Sequence, residues 1–361
     1  MKAIDYAQKL KKAQVQLRGN GPKSMKEQMS VFESLDNALM PDTYGTGEVI
    51  GNFEKLLYTE FGKSAAVFFP SGTMAQQVAL RIHCDRKALK RVAYHPLCHL
   101  EIHEQDGIKE LHHIETILLG DSERLFTLED LKQMGDVSVV LFELPQREIG
   151  GQLPTWDELV EMVNYCKARG IITHLDGARI YECLPYYQKS AKEVGQLFDS
   201  VYVSFYKTFG AVTGAMLIGD EAMMAEAKIW KRRHGGDLYQ LFPYIVTASD
   251  AFLRYKEKMS MYYEHATMYA AMLSVIPGLH IIPKIPVTNM FHIHFNSTPE
   301  VIMDQLGQVI ETEGVALFGG IGQKADGLAK TEMNIGEAYG KVPDHVLYKA
   351  LEFFTKLRNN Q

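Results

Sequence analysis

Three short stretches of the 361-residue chain carry side chains that could do chemistry together. In Phe68-Phe69-Pro70-Ser71-Gly72-Thr73-Met74 a strand pattern ends in a turn of small residues and a helix pattern begins. Free backbone N–H groups and the helix dipole at such a junction attract a phosphate, and the Ser71 and Thr73 hydroxyls add donors. An ordinary helix cap uses the same residues. In Ile171-Ile172-Thr173-His174-Leu175-Asp176-Gly177-Ala178-Arg179 an apolar strand delivers Asp176 to its C-terminal end, where open α/β sheets bind ligands. Taken alone, Asp176 reads more readily as a cap or as a pair with Arg179 than as a ligand-binding acid. In Val201-Tyr202-Val203-Ser204-Phe205-Tyr206-Lys207-Thr208-Phe209-Gly210, Lys207 sits among apolar and aromatic residues. Lost solvation depresses a lysine pKa and frees the amine as a nucleophile, although a lysine snorkelling from a strand end gives the same local pattern.

Each stretch is ambiguous by itself, but in this chain order they supply the three groups that pyridoxal 5′-phosphate (PLP) needs. These are a phosphate anchor, a carboxylate that keeps the pyridine nitrogen protonated, and an amine for C4′. The expected cofactor is therefore PLP, held as a Schiff base on Lys207.

A competing pattern is His95, His99 and His103, spaced i, i+4, i+8 with Cys98 and Glu104 nearby. If Pro96 opens a helix, His95 falls outside it, and the remaining pair lacks a third and fourth ligand. No metal is expected. His292 and His294 occupy alternate positions of a strand pattern and read as a solvated face.

These residues need a sheet to position them. Short apolar runs at Ala65 to Phe69, Arg91 to Tyr94, Val137 to Phe142, Ile171 to Leu175, Val201 to Ser204 and Ala215 to Ile218 alternate with helical stretches. That alternation predicts an α/β fold with a mostly parallel sheet covered by helices. Helical spacing also predicts helices over Met1 to Leu17 and Ser24 to Leu39, a long helix from Ala248 to Ile276, and further helices at Pro299 to Glu313 and Asp344 to Leu357. Strand-like segments at His280 to Pro283, Asn289 to Phe295, Val315 to Phe318 and Thr331 to Ile335 complete a smaller α/β unit. The expected division is an N-terminal helical arm (1–43), a large PLP-binding α/β domain (44–247) and a small C-terminal α/β domain (248–361).

With 46% apolar and 23% charged residues the chain is an ordinary globular protein, which excludes disordered and fibrous classes. A net charge of −6 argues against a broad nucleic-acid footprint. No run approaches the ~20 apolar residues of a membrane span, and Met1 to Lys12 lacks the apolar core of a signal peptide, so a cytoplasmic protein is expected. Cys84, Cys98, Cys166 and Cys183 form no C-x-x-C pair and are expected to be reduced and buried.

With these motifs in place, the chain resembles the threonine aldolase family, within the aromatic amino acid β-eliminating lyase/threonine aldolase group of fold-type I PLP enzymes. The resemblance rests on Phe61-Gly62-Lys63 with Phe69 to Met74, Cys98-His99-Leu100, Phe126 to Leu131, Gly150-Gly151 and His174 to Arg179. It implies that Ser71, Gly72 and Thr73 bind phosphate, His99 stacks on the pyridine ring, Asp176 meets the ring nitrogen and Lys207 carries the cofactor. It further implies that Arg179 contacts the substrate carboxylate or the cofactor, that Glu104 competes with His99 as general base, and that the protein is a homodimer or homotetramer. The chain departs from the family pattern at Tyr206, before the lysine; at Gln146, where a histidine is usual; at Tyr239, where a phosphate-binding arginine is usual; and in Lys330-Thr331-Glu332-Met333-Asn334, a strand that usually carries a carboxylate-binding arginine.

The expected reaction is aldol cleavage of a β-hydroxy-α-amino acid, threonine or allo-threonine, to glycine and an aldehyde. Two alternatives remain open: β-elimination on a β-substituted amino acid, and PLP binding with little catalysis.

Overall fold

The computed structural model describes residues 1–359. Backbone contacts divide them into two compact units, Lys23–Glu148 with Leu153–Glu257, and Met1–Pro22 with Ile149–Gln152 and the chain from Lys258 onward. The segment expected as one N-terminal arm is thus shared, its first 22 residues grouping with the C-terminal chain.

The larger unit is built on a seven-stranded sheet of β1 (Ala65–Phe69), β2 (Arg91–Tyr94), β3 (Glu115–Leu118), β4 (Val139–Glu143), β5 (Ile172–Asp176), β6 (Ser200–Ser204) and β7 (Ala215–Gly219). Their spatial order is β1-β7-β6-β5-β4-β2-β3. β7 runs antiparallel to both of its neighbours, whereas the pairs from β6 to β3 are parallel. This is the mostly parallel sheet that the apolar runs predict, and its central strands are buried on both faces, as in β6, where every residue is inaccessible. β3 escaped the sequence reading because it is an edge strand: in Glu115-Thr116-Ile117-Leu118 the end residues are exposed, the middle two are only half-buried, and there is no long apolar run.

Helix Gly72–Lys87 follows β1 and packs on the sheet, burying Ala75, Val78, Ala79 and Ile82 against Val67, Phe69, Tyr202 and Leu217. Two expected helices are shorter than their apolar spacing suggests. Ser24 to Leu39 contains only Met25–Met29, capped by Ser24, and a 3-10 turn over Ser30–Ser34. The long helix expected from Ala248 is two helices, Phe242–Tyr255 and Met259–Ser274, because the charged run Lys256-Glu257-Lys258 interrupts the apolar stripe with a 3-10 turn.

In the smaller unit Gly322–Gln323, Ala329–Asn334, Met290–Phe295 and Leu279–Ile282 form an antiparallel sheet in that order. The first helix ends at Lys12, and Val15–Gln16 pairs in parallel with Val315–Ala316. Gly150 needs to be glycine: its φ is +89°, and a Cβ would lie 2.3 Å from the Ile282 carbonyl oxygen. No helix among the described residues is long and apolar enough to cross a membrane.

Candidate active site

Parallel strands end on one edge of a sheet, so their last residues and following loops converge there. Asp176 is the last residue of β5 and Glu143 the last of β4, and their Cα atoms are register partners. Lys207 lies in the loop after β6. These three line one cavity together with His99, Arg147 and Arg179.

Asp176 is only 1% exposed. Its Oδ1 accepts the Ala178 N–H at 3.1 Å and its Oδ2 accepts from the Gln76 amide. Among the described residues neither Lys207 nor Arg179 forms an ion pair, so both cations face the cavity without a carboxylate in contact. Burial pushes the Lys207 ammonium below its ordinary range, opposed by the nearby Asp176 charge. Glu143 is shifted the other way. Burial, and then the charge of Asp176, push its carboxyl up to about 8, although it accepts backbone hydrogen bonds from His99 and Arg147.

His99 opens a short helix, His99–Ile102, and lines the cavity. Its Nδ1 lies 3.1 Å from Glu104 Oε1, and Glu104 Oε2 accepts from Gln77 Nε2 at 3.0 Å. The Glu104 side chain is buried and absent from the cavity wall, so it stands behind the ring. A carboxylate there requires Nδ1–H and leaves Nε2 with a free lone pair.

Ser71, Gly72 and Thr73 form the start of helix Gly72–Lys87 but are not part of the cavity wall. Ser71 is the N-cap residue and does not spend its hydroxyl on capping. A Cβ on Gly72 would lie 2.0 Å from Tyr202 Oη, so no larger residue fits where this turn meets β6.

Sequence reasoning overlooked Glu143 and Arg147. The signal for Glu143 was available, since it ends an apolar strand just as Asp176 does. The departure at Gln146 turns out to be a matter of facing: its buried side chain donates to the Leu97 carbonyl at 3.1 Å, while the next residue, Arg147, reaches the cavity and pairs with Glu148 at 2.9 Å. Tyr239 is exposed and stands edge-on to Tyr44.

The histidine series has other partners. His95 Nε2 lies 2.9 Å from the Arg124 carbonyl oxygen and His103 Nε2 lies 3.0 Å from Glu148, and no metal-binding cluster occurs among the described residues. His292 is buried rather than solvated, with Nε2 4.0 Å from Glu332 on the neighbouring strand, whereas His294 is half-buried.

Residues 21–298 match the beta-eliminating lyase family. The chain belongs to that family. It is 45% identical to a Listeria monocytogenes EGD-E protein provisionally described as an L-allo-threonine aldolase, with a TM-score of 0.96 over 98% of this chain and 99% of that one. A protein of Exiguobacterium sp. 255-15, provisionally described as an aromatic amino acid beta-eliminating lyase/threonine aldolase, is 46% identical, with a TM-score of 0.95 over 98% and 99% of the two chains. Low-specificity L-threonine aldolase 1 of Arabidopsis thaliana is 23% identical across 80% of this chain and 84% of its own. The resemblance read from the motifs and the fold-type I architecture are both borne out.

This member of the family is a PLP enzyme, and the residues present fit the group. Lys207 is a desolvated amine free of ion pairs, Asp176 is a buried carboxylate at the cavity wall, and the Gly72 turn leaves a helix N-terminus with an unspent Ser71 hydroxyl.

Proposed function

We propose that this enzyme cleaves a β-hydroxy-α-amino acid, threonine or allo-threonine, between Cα and Cβ to give glycine and an aldehyde. The observation that carries the reading is His99 on the cavity wall, braced from behind by Glu104, in the cavity that also holds Lys207 and the unpaired Arg179.

When bound, PLP supplies an electron sink for the pair released from the broken Cα–Cβ bond. Lys207 would carry the cofactor, Asp176 would face its ring nitrogen, and Ser71, Gly72 and Thr73 would hold its phosphate. The Arg179 guanidinium takes the substrate carboxylate, a charge-assisted contact that orients Cα. His99 would stack over the ring; its Nε2 accepts the β-hydroxyl proton as the Cα–Cβ bond breaks and the aldehyde carbonyl forms, and that proton can then be returned to Cα to complete glycine. Glu104 keeps Nδ1 protonated and stabilises the imidazolium that results.

Exposed apolar side chains of Met25, Met29, Leu39, Met40, Tyr44 and Tyr239, all in the larger unit, support a homodimer or homotetramer. The four cysteines are buried and unpaired, which suits the reducing cytoplasm.

Incubation with threonine or allo-threonine tests the reaction. Glycine and acetaldehyde in equal amounts are expected. Release of 2-oxobutanoate and ammonia instead would assign β-elimination, the chemistry in the family's name.

A further inference from the structure

Behind Asp176 lies a row of buried polar groups that the cavity does not touch. Gln76 and His83 are seven residues apart on helix Gly72–Lys87, two turns along the same face, and both are buried. His174 on β5 and Ser200 on β6 are register partners beneath that face. His83 Nε2 lies 2.7 Å from Ser200 Oγ, Ser200 Oγ lies 2.7 Å from His174 Nδ1, and His174 Nε2 lies 3.0 Å from Gln76 Oε1. The Gln76 amide nitrogen then meets Asp176 Oδ2.

Only one proton arrangement satisfies this chain. An ionised carboxylate accepts and never donates, so Gln76 must present its NH₂ to Asp176 and its carbonyl oxygen to His174. His174 therefore carries its proton on Nε2, and its bare Nδ1 accepts the Ser200 hydroxyl. That hydroxyl has one proton and has given it to His174, so His83 must donate to it from Nε2. The remaining nitrogen, His83 Nδ1, is buried without a partner, as expected for the bare end of the chain. The opposite direction would leave His174 Nε2 and Gln76 Oε1 as two acceptors face to face.

We propose that His83, Ser200, His174 and Gln76 are positioning residues that form a one-directional relay of neutral hydrogen bonds, holding the Asp176 carboxylate in place and ionised. The proposal rests on the reading that Asp176 faces the cofactor's ring nitrogen. Burial keeps both imidazoles neutral, with His174 pushed down to about 3 and His83 to about 4. The charged groups bearing on His83 are Asp199, Asp220 and Arg86, and the titratable group bearing on His174 is His83 itself. Aligned donors in a medium of low polarisability reinforce one another. They stabilise the anion at the end of the row without adding a second charge to a site that already holds Glu143.

The direction of the relay is testable without cofactor. In apoenzyme labelled with ¹⁵N-histidine, both His83 and His174 should show the Nε2–H tautomer and stay neutral down to about pH 5. An Nδ1–H tautomer at His174, or its protonation near neutral pH, would overturn the relay. In the holoenzyme, His174→Phe should weaken PLP binding about tenfold and move the pH titration of the bound cofactor's absorbance down by about one unit. His174→Gln, which returns an amide donor near the place of Nε2, should recover most of both. Unchanged affinity and titration in His174→Phe would likewise overturn the proposal. Asp176→Ala is the separate control: if it leaves PLP binding and absorbance untouched, the reading of Asp176 fails, whereas the tautomers still decide the relay.

Discussion

Glu143 and Asp176 stand side by side as register partners at the ends of adjacent parallel strands, two carboxyl groups on the wall of one cavity. Two neighbouring carboxylates out of water cannot both ionise cheaply, and it is the Glu143 carboxyl that burial and the neighbouring Asp176 push up.

The pair has a measurable pH signature. The Glu143 carboxyl is raised to about 8 in the folded chain, against roughly 4.3 when unfolded. Below the unfolded value both states hold the proton and nothing is lost. As pH rises toward 8 the unfolded chain releases its proton first, so stability falls, by at most about 1.4 kcal/mol per pH unit. Glu143→Gln removes this loss. In apoenzyme melts, the variant's Tm relative to wild type should climb between pH 5 and pH 8; a difference independent of pH would contradict a proton on Glu143.

Lys207→Ala should leave the fold intact, since β6 and its loop are set by buried neighbours, and should abolish the bond to PLP that borohydride fixes. Peptide mapping of the reduced wild-type protein should find the label on Lys207. A label on another lysine refutes the assignment.

Asp176→Ala should bind PLP weakly and lose nearly all turnover, because an unprotonated pyridine is a poor electron sink. Retention of more than about a tenth of wild-type kcat, a barrier change under ~1.4 kcal/mol, is incompatible with the role given to Asp176.

His99→Ala should reduce cleavage of threonine by 10²- to 10⁴-fold, the usual worth of a general base, with a smaller effect on cofactor affinity. Glu104→Gln keeps a side-chain oxygen as acceptor for Nδ1–H and should cost much less than Glu104→Ala. Equal, large losses in both Glu104 variants would make the carboxylate itself the base.

The sequence alone revealed the strands that carry the site, because Ala65–Phe69, Arg91–Tyr94, Ile172–Asp176 and Ser200–Ser204 are buried on both faces and must be written in apolar residues. It also disclosed the cofactor, since an anchor turn, an acid at a strand end and a desolvated lysine are local features that spacing preserves. Edge strand Glu115–Leu118 and the break at Lys256–Lys258 stayed hidden, the first for want of an apolar run and the second because helical periodicity continues on either side. What surrounds the acid was decided only by the tertiary structure. Glu143 meets Asp176 through strand register, and Gln76 and His83 meet His174 and Ser200 because one helix face lies across two strands. Hydrogen-bond direction and shared protons depend on distances of about 3 Å between groups far apart in the chain, and no local pattern of residue types encodes those distances.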